Sequence, residues 1–358
     1  MAADAQSPWL DATEALVAKA WASALGGRPP GRQSSILDMR IGLLQAYGLL
    51  AEIERLSGIA LPVTTVLQAP TIPALADILR AGQRPRFTPA IAFRQRGDGP
   101  GLFLFPGLGG SVFLLFDLAR HVEHTGTIYL NQQAGLDGEH APHRTLAEMV
   151  RFQIDAIRAV QPRGPYLLLG HSLGANLALE VARQLRAAGE PVPFIGLVEA
   201  IVPERNWPIR VSLRFLWRRV ALHTAGLRGL SWRETGTRIA RGMNNLLRRA
   251  GRMFASRKGG WLPYREAGLP NPSEALTKAT VQAFDDYRIT RFDGRVFLFQ
   301  AETKDPLTCD PLLVWPRYLS NYAVRHVPGN HVSVLSGRNA AVLGAAVSQA
   351  LLLAPALL

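Results

Sequence analysis

The sequence predicts an α/β fold in which a mainly parallel, doubly wound sheet follows a small, all-helical region. Short, unbroken apolar runs typical of buried strands occur at Leu102–Phe105, Tyr166–Leu169, Phe194–Val198 and Val296–Phe299. Longer stretches with apolar residues at helical spacing lie between them, such as Ala147–Val160 and Leu173–Ala188. Short buried strands that alternate with helices are typical of a parallel sheet covered on both faces.

Length and composition narrow the class of protein. The 358 residues accommodate two or three domains, at roughly 100–200 residues per domain. The 48% hydrophobic content is enough for a packed core and excludes a disordered or fibrous chain. The single cysteine, Cys309, excludes an internal disulfide and a thiolate metal cluster, so no metal site is expected. Met1–Leu10 lacks the basic start and apolar run of a signal peptide, which predicts a cytoplasmic protein.

The first 80 residues have the pattern of short helices. Asp11–Leu25 carries apolar residues near helical spacing and stops at a Gly-Gly pair, and further helices are expected at 42–56 and 72–79. The polar stretch that follows contains prolines and resembles a linker. The sequence therefore predicts a helical domain at 8–82, a linker at 83–99 and an α/β domain at 100–358.

The positive charge is concentrated in one segment. Fourteen of the 40 Lys and Arg residues lie between Pro203 and Gly260, against only Glu204 and Glu234, so this segment carries +12 of the net charge of +13. An evenly basic chain would suggest nucleic acid as a partner. The clustering instead indicates a local surface for an anionic partner, and no nucleic acid is expected.

The longest apolar stretch, Ala340–Leu358, fits either a tail anchor or a packed C-terminal helix. Its polar residues Ser348 and Gln349 and the lack of a close basic flank favour the packed helix.

A candidate nucleophile lies in Gly170-His171-Ser172-Leu173-Gly174, which fits the pattern Gly-x-Ser-x-Gly. The motif follows an apolar strand and opens a helix, the arrangement that places a serine on a strained elbow. Glycines at both ends allow the backbone to turn without a side-chain clash. The pattern therefore predicts Ser172 as a nucleophile; the alternative is an ordinary glycine-rich turn.

The candidate base is His331. A serine nucleophile needs a general base. In enzymes with the Gly-x-Ser-x-Gly elbow, the order along the chain is nucleophile, acid, base, so the base comes last. His331 lies on a loop after an apparent strand at 323–327. His326 sits within that strand and is expected to be structural, and His171 is expected to point away from the nucleophile.

Two carboxylates compete to orient the base. Glu199 directly follows the strand Phe194–Val198, and Asp305 lies just past the strand Val296–Phe299. Both positions are at the carboxyl end of a strand, where the acid of a catalytic triad is needed. The sequence favours Glu199 and leaves Asp305 as its rival.

The oxyanion of the reaction needs two backbone N–H donors. Leu173, the residue after the nucleophile, supplies one, and Leu108 in the glycine-rich loop Pro106–Gly110 is the candidate for the other. The same loop lacks the Lys-Ser/Thr ending of a phosphate-binding loop, so that interpretation is set aside.

Several of these motifs together resemble the carrier-protein and thioesterase unit of polyketide or nonribosomal peptide assembly lines. The residues that carry the resemblance are Leu102–Val122, Ala156–Pro162, Gly164–Tyr166, Gly170–Gly174 and Val327–His331. The resemblance implies an α/β-hydrolase fold with a helical lid, and release of an acyl chain through an acyl-Ser172 intermediate. It also implies an acid after the strand that follows the nucleophile, which supports Glu199, although the family normally has Asp there.

The N-terminal region is similar to a carrier domain in Leu61–Val63 and Gln68–Ile72. In that family a serine at the start of the second helix bears phosphopantetheine. The matching position here is Leu43, which has no hydroxyl, and Ser34 and Ser35 come too early. The resemblance therefore implies a pseudo-carrier that holds no covalent cofactor, with phosphopantetheine only on a partner carrier.

The basic segment falls within the stretch where such thioesterases carry a lid, about 202–292. Arg210, Arg214 and Arg218 recur every four residues and are expected on one helix face, with Val211, Phe215 and Trp217 as apolar surface beside them. Carrier domains are anionic, so this face is a candidate docking surface. The alternatives are a membrane-surface helix and an ordinary solvated face.

The expected function is that of a chain-releasing serine thioesterase. Substrate would arrive in trans from an acyl or peptidyl carrier, alongside other assembly-line enzymes. Release to water, to an internal hydroxyl or amine, or to a second molecule all remain open, because a fold does not select among them. A non-catalytic docking protein and a membrane-associated esterase are the alternatives.

Overall fold

A computed structural model describes residues 10–27, 31–39, 41–83, 86–215, 217, 271–304 and 309–354. Most of the predicted lid, the rival acid Asp305 and Arg218 lie outside these described residues.

The N-terminal region forms the predicted helices. Within the described residues they are α1 (Ala12–Leu25), α2 (Leu43–Ser57) and α4 (Ile72–Ala81), and a short helix that the sequence pattern did not predict, α3 (Thr65–Gln68), lies before α4. Helix α1 begins where the Asp11 side chain accepts a hydrogen bond from the Glu14 N–H, and it ends at Gly26 in the left-handed conformation, with φ 68°. Trp21, Leu49 and Leu75 are fully buried between the helices. These helix faces form one end of an apolar cluster that continues into the sheet domain.

In the part of the chain that the structure describes, seven strands form one sheet in the order β1-β3-β2-β4-β5-β6-β7. They are β1 (Ala90–Arg94), β2 (Gly99–Phe105), β3 (Gly126–Asn131), β4 (Leu167–His171), β5 (Phe194–Val198), β6 (Phe292–Ala301) and β7 (Leu319–Val327). Strands β2 to β7 pair in parallel, and β1 pairs antiparallel with β3 at one edge. The predicted parallel α/β sheet is confirmed.

The predicted linker at 83–99 is too long. Strand β1 lies inside it, and Gly99 already belongs to β2. Only Ala90 and Ile91 of β1 are buried, because an edge strand buries little of its surface. A short strand of this kind between polar and proline-containing segments leaves a weak sequence signal.

Helices cover both faces of the sheet. They are α5 (Phe116–His121), α6 (Leu146–Val160), α7 (Leu173–Ala187), α8 (Asn271–Asp285) and α9 (Gly337–Leu352). Alternate residues of β2 point to opposite faces: Leu102 and Leu104 join the apolar cluster that includes α5 and α9, whereas Phe103 and Phe105 join the cluster of α6 and α7. Consecutive apolar residues are therefore required along the strand.

The C-terminal apolar stretch packs as a helix. Leu343 and Val347 of α9 are fully buried, and α9 lies against α5. Among the residues that the structure describes, no helix is long and apolar enough to cross a bilayer. The prediction of a packed helix is confirmed for residues 340–352.

An arginine joins the helical region to the sheet domain. Arg120 of α5 donates to the backbone carbonyl of Leu37 at 2.7 Å and also to that of Met39. Its guanidinium pairs with Asp117 at 3.0 Å and lies 5.7 Å from the ring centre of Phe116. Leu37 and Phe116 belong to one continuous buried apolar cluster. The loop before α2 is therefore held against the sheet domain by both polar and apolar contacts.

We expect Arg120→Ala to release this loop. Loss of hydrogen bonds from a charged donor costs about 1.5–3 kcal/mol, so amide hydrogen exchange at Ile36, Asp38 and Met39 should accelerate roughly tenfold or more. The matched control is Arg96→Ala, because Arg96 is exposed and pairs only with Glu123 among the contacts described. Equal exchange in the two variants would contradict the role of Arg120.

Candidate active site

Ser172 occupies a strained turn between β4 and α7. Its φ of 58° and ψ of −122° lie in a region that residues other than glycine rarely adopt. The Ser172 N–H donates to the Val198 carbonyl at 2.9 Å, which ties the turn to β5. A side chain at Gly174 would place its Cβ 2.2 Å from the Pro106 carbonyl oxygen, so only glycine fits there. The motif thus has the strand–turn–helix setting that the sequence predicts.

Three side chains from distant parts of the sequence form one hydrogen-bonded chain. The hydroxyl of Ser172 lies 3.0 Å from Nε2 of His331, and Nδ1 of His331 lies 3.3 Å from Oε2 of Glu199. This is the order nucleophile, base, acid of a catalytic triad. The structure brings together the three residues that the sequence singles out for these roles.

Glu199 is fixed by its backbone and by its second oxygen. It follows β5 with φ 46°, and its N–H donates to the Phe299 carbonyl at 2.8 Å. Its Oε1 accepts from the Ala301 N–H at 2.7 Å, which leaves Oε2 to face His331. The longer arm of glutamate therefore reaches the histidine while one oxygen is held by β6.

The three side chains differ in their exposure to solvent. Ser172 and Glu199 are buried, whereas the side chain of His331 is 33% exposed. A buried carboxylate that accepts from Nδ1–H of a histidine orients the ring and stabilises the positive charge that forms on it during proton transfer. The arrangement can take a proton from the Ser172 hydroxyl and hold the resulting positive charge.

The glycine-rich loop after β2 passes directly beside the nucleophile. A Cβ on Gly107 would lie 2.9 Å from the Cβ of Ser172, and the Gly110 N–H donates to the Gly107 carbonyl to close the turn. Leu108 lies inside this turn, and Leu173 is the first residue of α7. The first N–H groups of a helix have no partner within it. Both residues proposed as oxyanion donors therefore flank Ser172.

His171 makes a contact that sequence reasoning missed. The side chain is buried, and its Nε2 lies 3.0 Å from the backbone carbonyl of His331. Burial, together with the nearby His331, lowers the pKa of His171 to about 3. The contact joins residues 160 positions apart, so no local sequence pattern could have indicated it.

The part of the basic segment that the structure describes is helical at 209–215. Arg210 and Arg214 are exposed on it, as expected of a docking face, and Trp217 is 72% exposed. Phe215 is buried with its ring 5.2 Å from that of Trp207, so the prediction that it forms apolar surface beside the arginines is wrong. An aromatic ring on an amphipathic helix packs inward where a neighbouring ring is available.

The structure places Leu43 as the first residue of α2, with Gly42 as its N-cap. This is the start of the second helix, the position predicted from the carrier resemblance. Within the described part of the chain, no group of three or more His, Cys, Asp or Glu side chains could hold a metal ion.

Comparison with known families divides the chain into two matched regions. A family model described as a thioesterase domain matches residues 100–346. A second model, described as a phosphopantetheine attachment site, matches residues 15–79.

Relatives of this chain are much longer proteins. Indigoidine synthase from Streptomyces lavendulae is 33% identical over 212 residues, which cover 58% of this chain and 16% of the relative. Enterobactin synthase component F from Escherichia coli K12 is 31% identical over 200 residues, which cover 54% of this chain and 15% of the relative. The matched region thus spans about a sixth of each relative.

A solved structure shares the fold over both regions. It is a four-domain nonribosomal peptide synthetase bound to AMP and glycine, with a TM-score of 0.54 and 22% identity; the match covers 98% of this chain and 27% of that chain. The helical region and the sheet domain therefore both have counterparts in a known structure.

We expect Glu199→Gln to slow reaction of Ser172 with a fluorophosphonate probe by about 10²–10⁴-fold, because an amide disturbs the tautomer and charge balance of the histidine. The glutamine can still accept from the Ala301 N–H, so the local fold should persist. The rate is measured by mass spectrometry of the labelled protein.

The matched variant is Asp305→Asn, which should react at the wild-type rate. Full reactivity in Glu199→Gln combined with loss in Asp305→Asn would identify Asp305 as the acid.

Proposed function

This chain belongs to the thioesterase domain family and joins that domain to a carrier-type domain of the nonribosomal peptide and polyketide assembly lines. We therefore propose that it releases acyl chains from carrier thioesters through an acyl-Ser172 intermediate. The observation that carries the proposal is the hydrogen-bonded chain from Ser172 through His331 to Glu199. The α/β-hydrolase fold supplies the elbow on which Ser172 sits.

The first half of the reaction transfers the acyl group to the enzyme. Nε2 of His331 takes the hydroxyl proton as Oγ of Ser172 attacks the thioester carbonyl carbon. The N–H groups of Leu108 and Leu173 stabilise the oxyanion that forms. When the carbon–sulfur bond breaks, His331 returns the proton to the departing thiol. Glu199 orients His331 and stabilises its positive charge throughout.

The second half returns the acyl group to an acceptor. His331 takes a proton from the acceptor, whose oxygen or nitrogen attacks the acyl-serine carbon, and Ser172 leaves with that proton. Water gives hydrolysis, an internal hydroxyl or amine gives a ring, and a second molecule gives an intermolecular product. The same three side chains serve each outcome.

We further propose that a partner carrier delivers the substrate in trans. Position 43 begins α2 but carries a leucine, which has no hydroxyl to form a phosphodiester. The exposed Arg210 and Arg214 offer positive charge to an acidic carrier and to the phosphate of its pantetheine arm. The N-terminal region then acts as a pseudo-carrier, held to the sheet domain through Arg120.

The function is tested with acyl-carrier thioesters offered alone and with added alcohols or amines. Wild type should release the acyl chain, and mass spectrometry of the product identifies the acceptor. Ser172→Ala should lose at least about 10³-fold in rate, because no residue replaces the nucleophile.

Two results would overturn the catalytic proposal. In the first, the wild type neither releases any of the acyl chains offered nor is labelled by a fluorophosphonate. In the second, Ser172→Ala is labelled as strongly as the wild type. The first result would favour a non-catalytic docking protein, and the second would show that a residue other than Ser172 reacts with the probe.

The pseudo-carrier is tested by incubation with coenzyme A and a promiscuous phosphopantetheinyl transferase. Wild type should show no mass gain, because the position at the start of α2 has no hydroxyl. Leu43→Ser should gain one phosphopantetheine if the surrounding helix is still recognised, and Leu43→Ala serves as the matched control. A mass gain in the wild type would show that another residue is loaded and would remove the case for delivery only in trans.

A further inference from the structure

His171 precedes the nucleophile in the chain and contacts the backbone of the base, without belonging to the triad. It is the last residue of β4, next to Ser172, and its side chain is buried. Its Nε2 lies 3.0 Å from the backbone carbonyl oxygen of His331, and the two imidazole rings are 5.0 Å apart. Because a carbonyl oxygen can only accept, Nε2 of His171 must carry the hydrogen.

The donor is a neutral ring. Burial and the neighbouring His331 both lower the pKa of His171, to about 3. A neutral imidazole has one N–H, and the bond to the His331 carbonyl places it on Nε2. The ring can therefore hold the base without adding a second positive charge beside the imidazolium that forms during catalysis.

The backbones of the three triad residues are held in different ways. Ser172 and Glu199 follow β4 and β5 directly, and their N–H groups donate to the Val198 and Phe299 carbonyls of the neighbouring strands. His331 instead lies on a loop after β7. A bond from the Thr303 N–H to the Gly329 carbonyl holds this loop two residues before the base, while His171 reaches the carbonyl of the base itself. The Asn330 side chain accepts from the N–H groups of Val332 and Ser333, which shapes the loop but does not tie it to the nucleophile.

We propose that His171 is a positioning residue, which sets the distance between the His331 imidazole and the Ser172 hydroxyl by holding the backbone of His331. The proposal rests on the proposed function, because it concerns the proton transfer between these two groups. Nε2 of His331 lies 3.0 Å from the Ser172 hydroxyl. A displacement of 1 Å at such a site can lower the rate by about 10²-fold.

Two variants separate the hydrogen bond from packing. His171→Phe keeps a ring of similar size but has no donor, whereas His171→Gln has a side-chain N–H that can reach the carbonyl. We expect the phenylalanine variant to lose about 10–100-fold in kcat and in the rate of fluorophosphonate labelling. The KM for a small acyl thioester should change less than about threefold, and the glutamine variant should recover much of the lost rate.

The control is His326→Phe, because His326 is an exposed histidine on β7. It should leave both rates at the wild-type value. Wild-type rates in His171→Phe would overturn the proposal. It would also be overturned if His171→Gln were as slow as His171→Phe while both variants kept the melting temperature of the wild type.

A measurement on the wild type keeps the test independent of how the variants fold. Nuclear magnetic resonance of the protein with ¹⁵N-labelled histidine should show His171 as the neutral tautomer with its hydrogen on Nε2, unchanged from pH 8 to pH 5. The opposite tautomer, or protonation of His171 above pH 5, would overturn the proposal. The tautomer and the protonation state of His171 can be measured whether or not Ser172 forms an acyl-enzyme. Failure of this proposal is therefore distinguished from failure of the proposed function, which the release assay tests.

Discussion

The parallel register of the central strands is the constraint on which the candidate site depends. His171 pairs with Val198, Val198 with Phe299, and Ala301 with Val327. Because parallel strands all end at the same edge of the sheet, the residues that follow them meet there. Ser172, Glu199 and the loop of His331 are brought together in this way, although 159 residues separate the serine from the histidine.

The same edge holds two residues in strained backbone conformations. Ser172 and Glu199 have positive φ angles, and each is fixed by an N–H bond to the next strand. Strain of about 1–3 kcal/mol persists only where the surroundings enforce it. The sheet supplies that enforcement for the nucleophile and the acid, whereas the loop of His331 is held by a backbone bond from the Thr303 N–H to the Gly329 carbonyl and by side-chain contacts. The site thus combines a nucleophile and an acid that directly follow strands with a base, His331, that lies on a loop.

Arginines inside and outside the basic segment are placed differently in the structure. Arg120 lies outside the basic segment and is turned inward, where it binds backbone carbonyls of the N-terminal region and a neighbouring aspartate. Arg210 and Arg214 belong to the segment that carries most of the net charge, and they face solvent. The net charge of +13 therefore does not describe the protein as a whole. One arginine stabilises the contact between regions, and the exposed ones are available to an anionic partner.

Local sequence patterns predict four buried strands of the parallel sheet (β2, β4, β5 and β6), the three longer helices of the N-terminal region, and the three residues of the hydrogen-bonded chain. They do not predict β3 or the short helix α3. The predicted features have local signals: unbroken apolar runs, glycine spacing around Ser172, and residues placed directly after strands. The folded arrangement was needed to see that Glu199 reaches His331, that Phe215 packs inward, that β1 forms an edge strand, and that His171 and Arg120 bridge distant segments. Each of these depends on contacts between residues far apart in the chain, whose distances and side-chain directions are set by packing and not by local sequence.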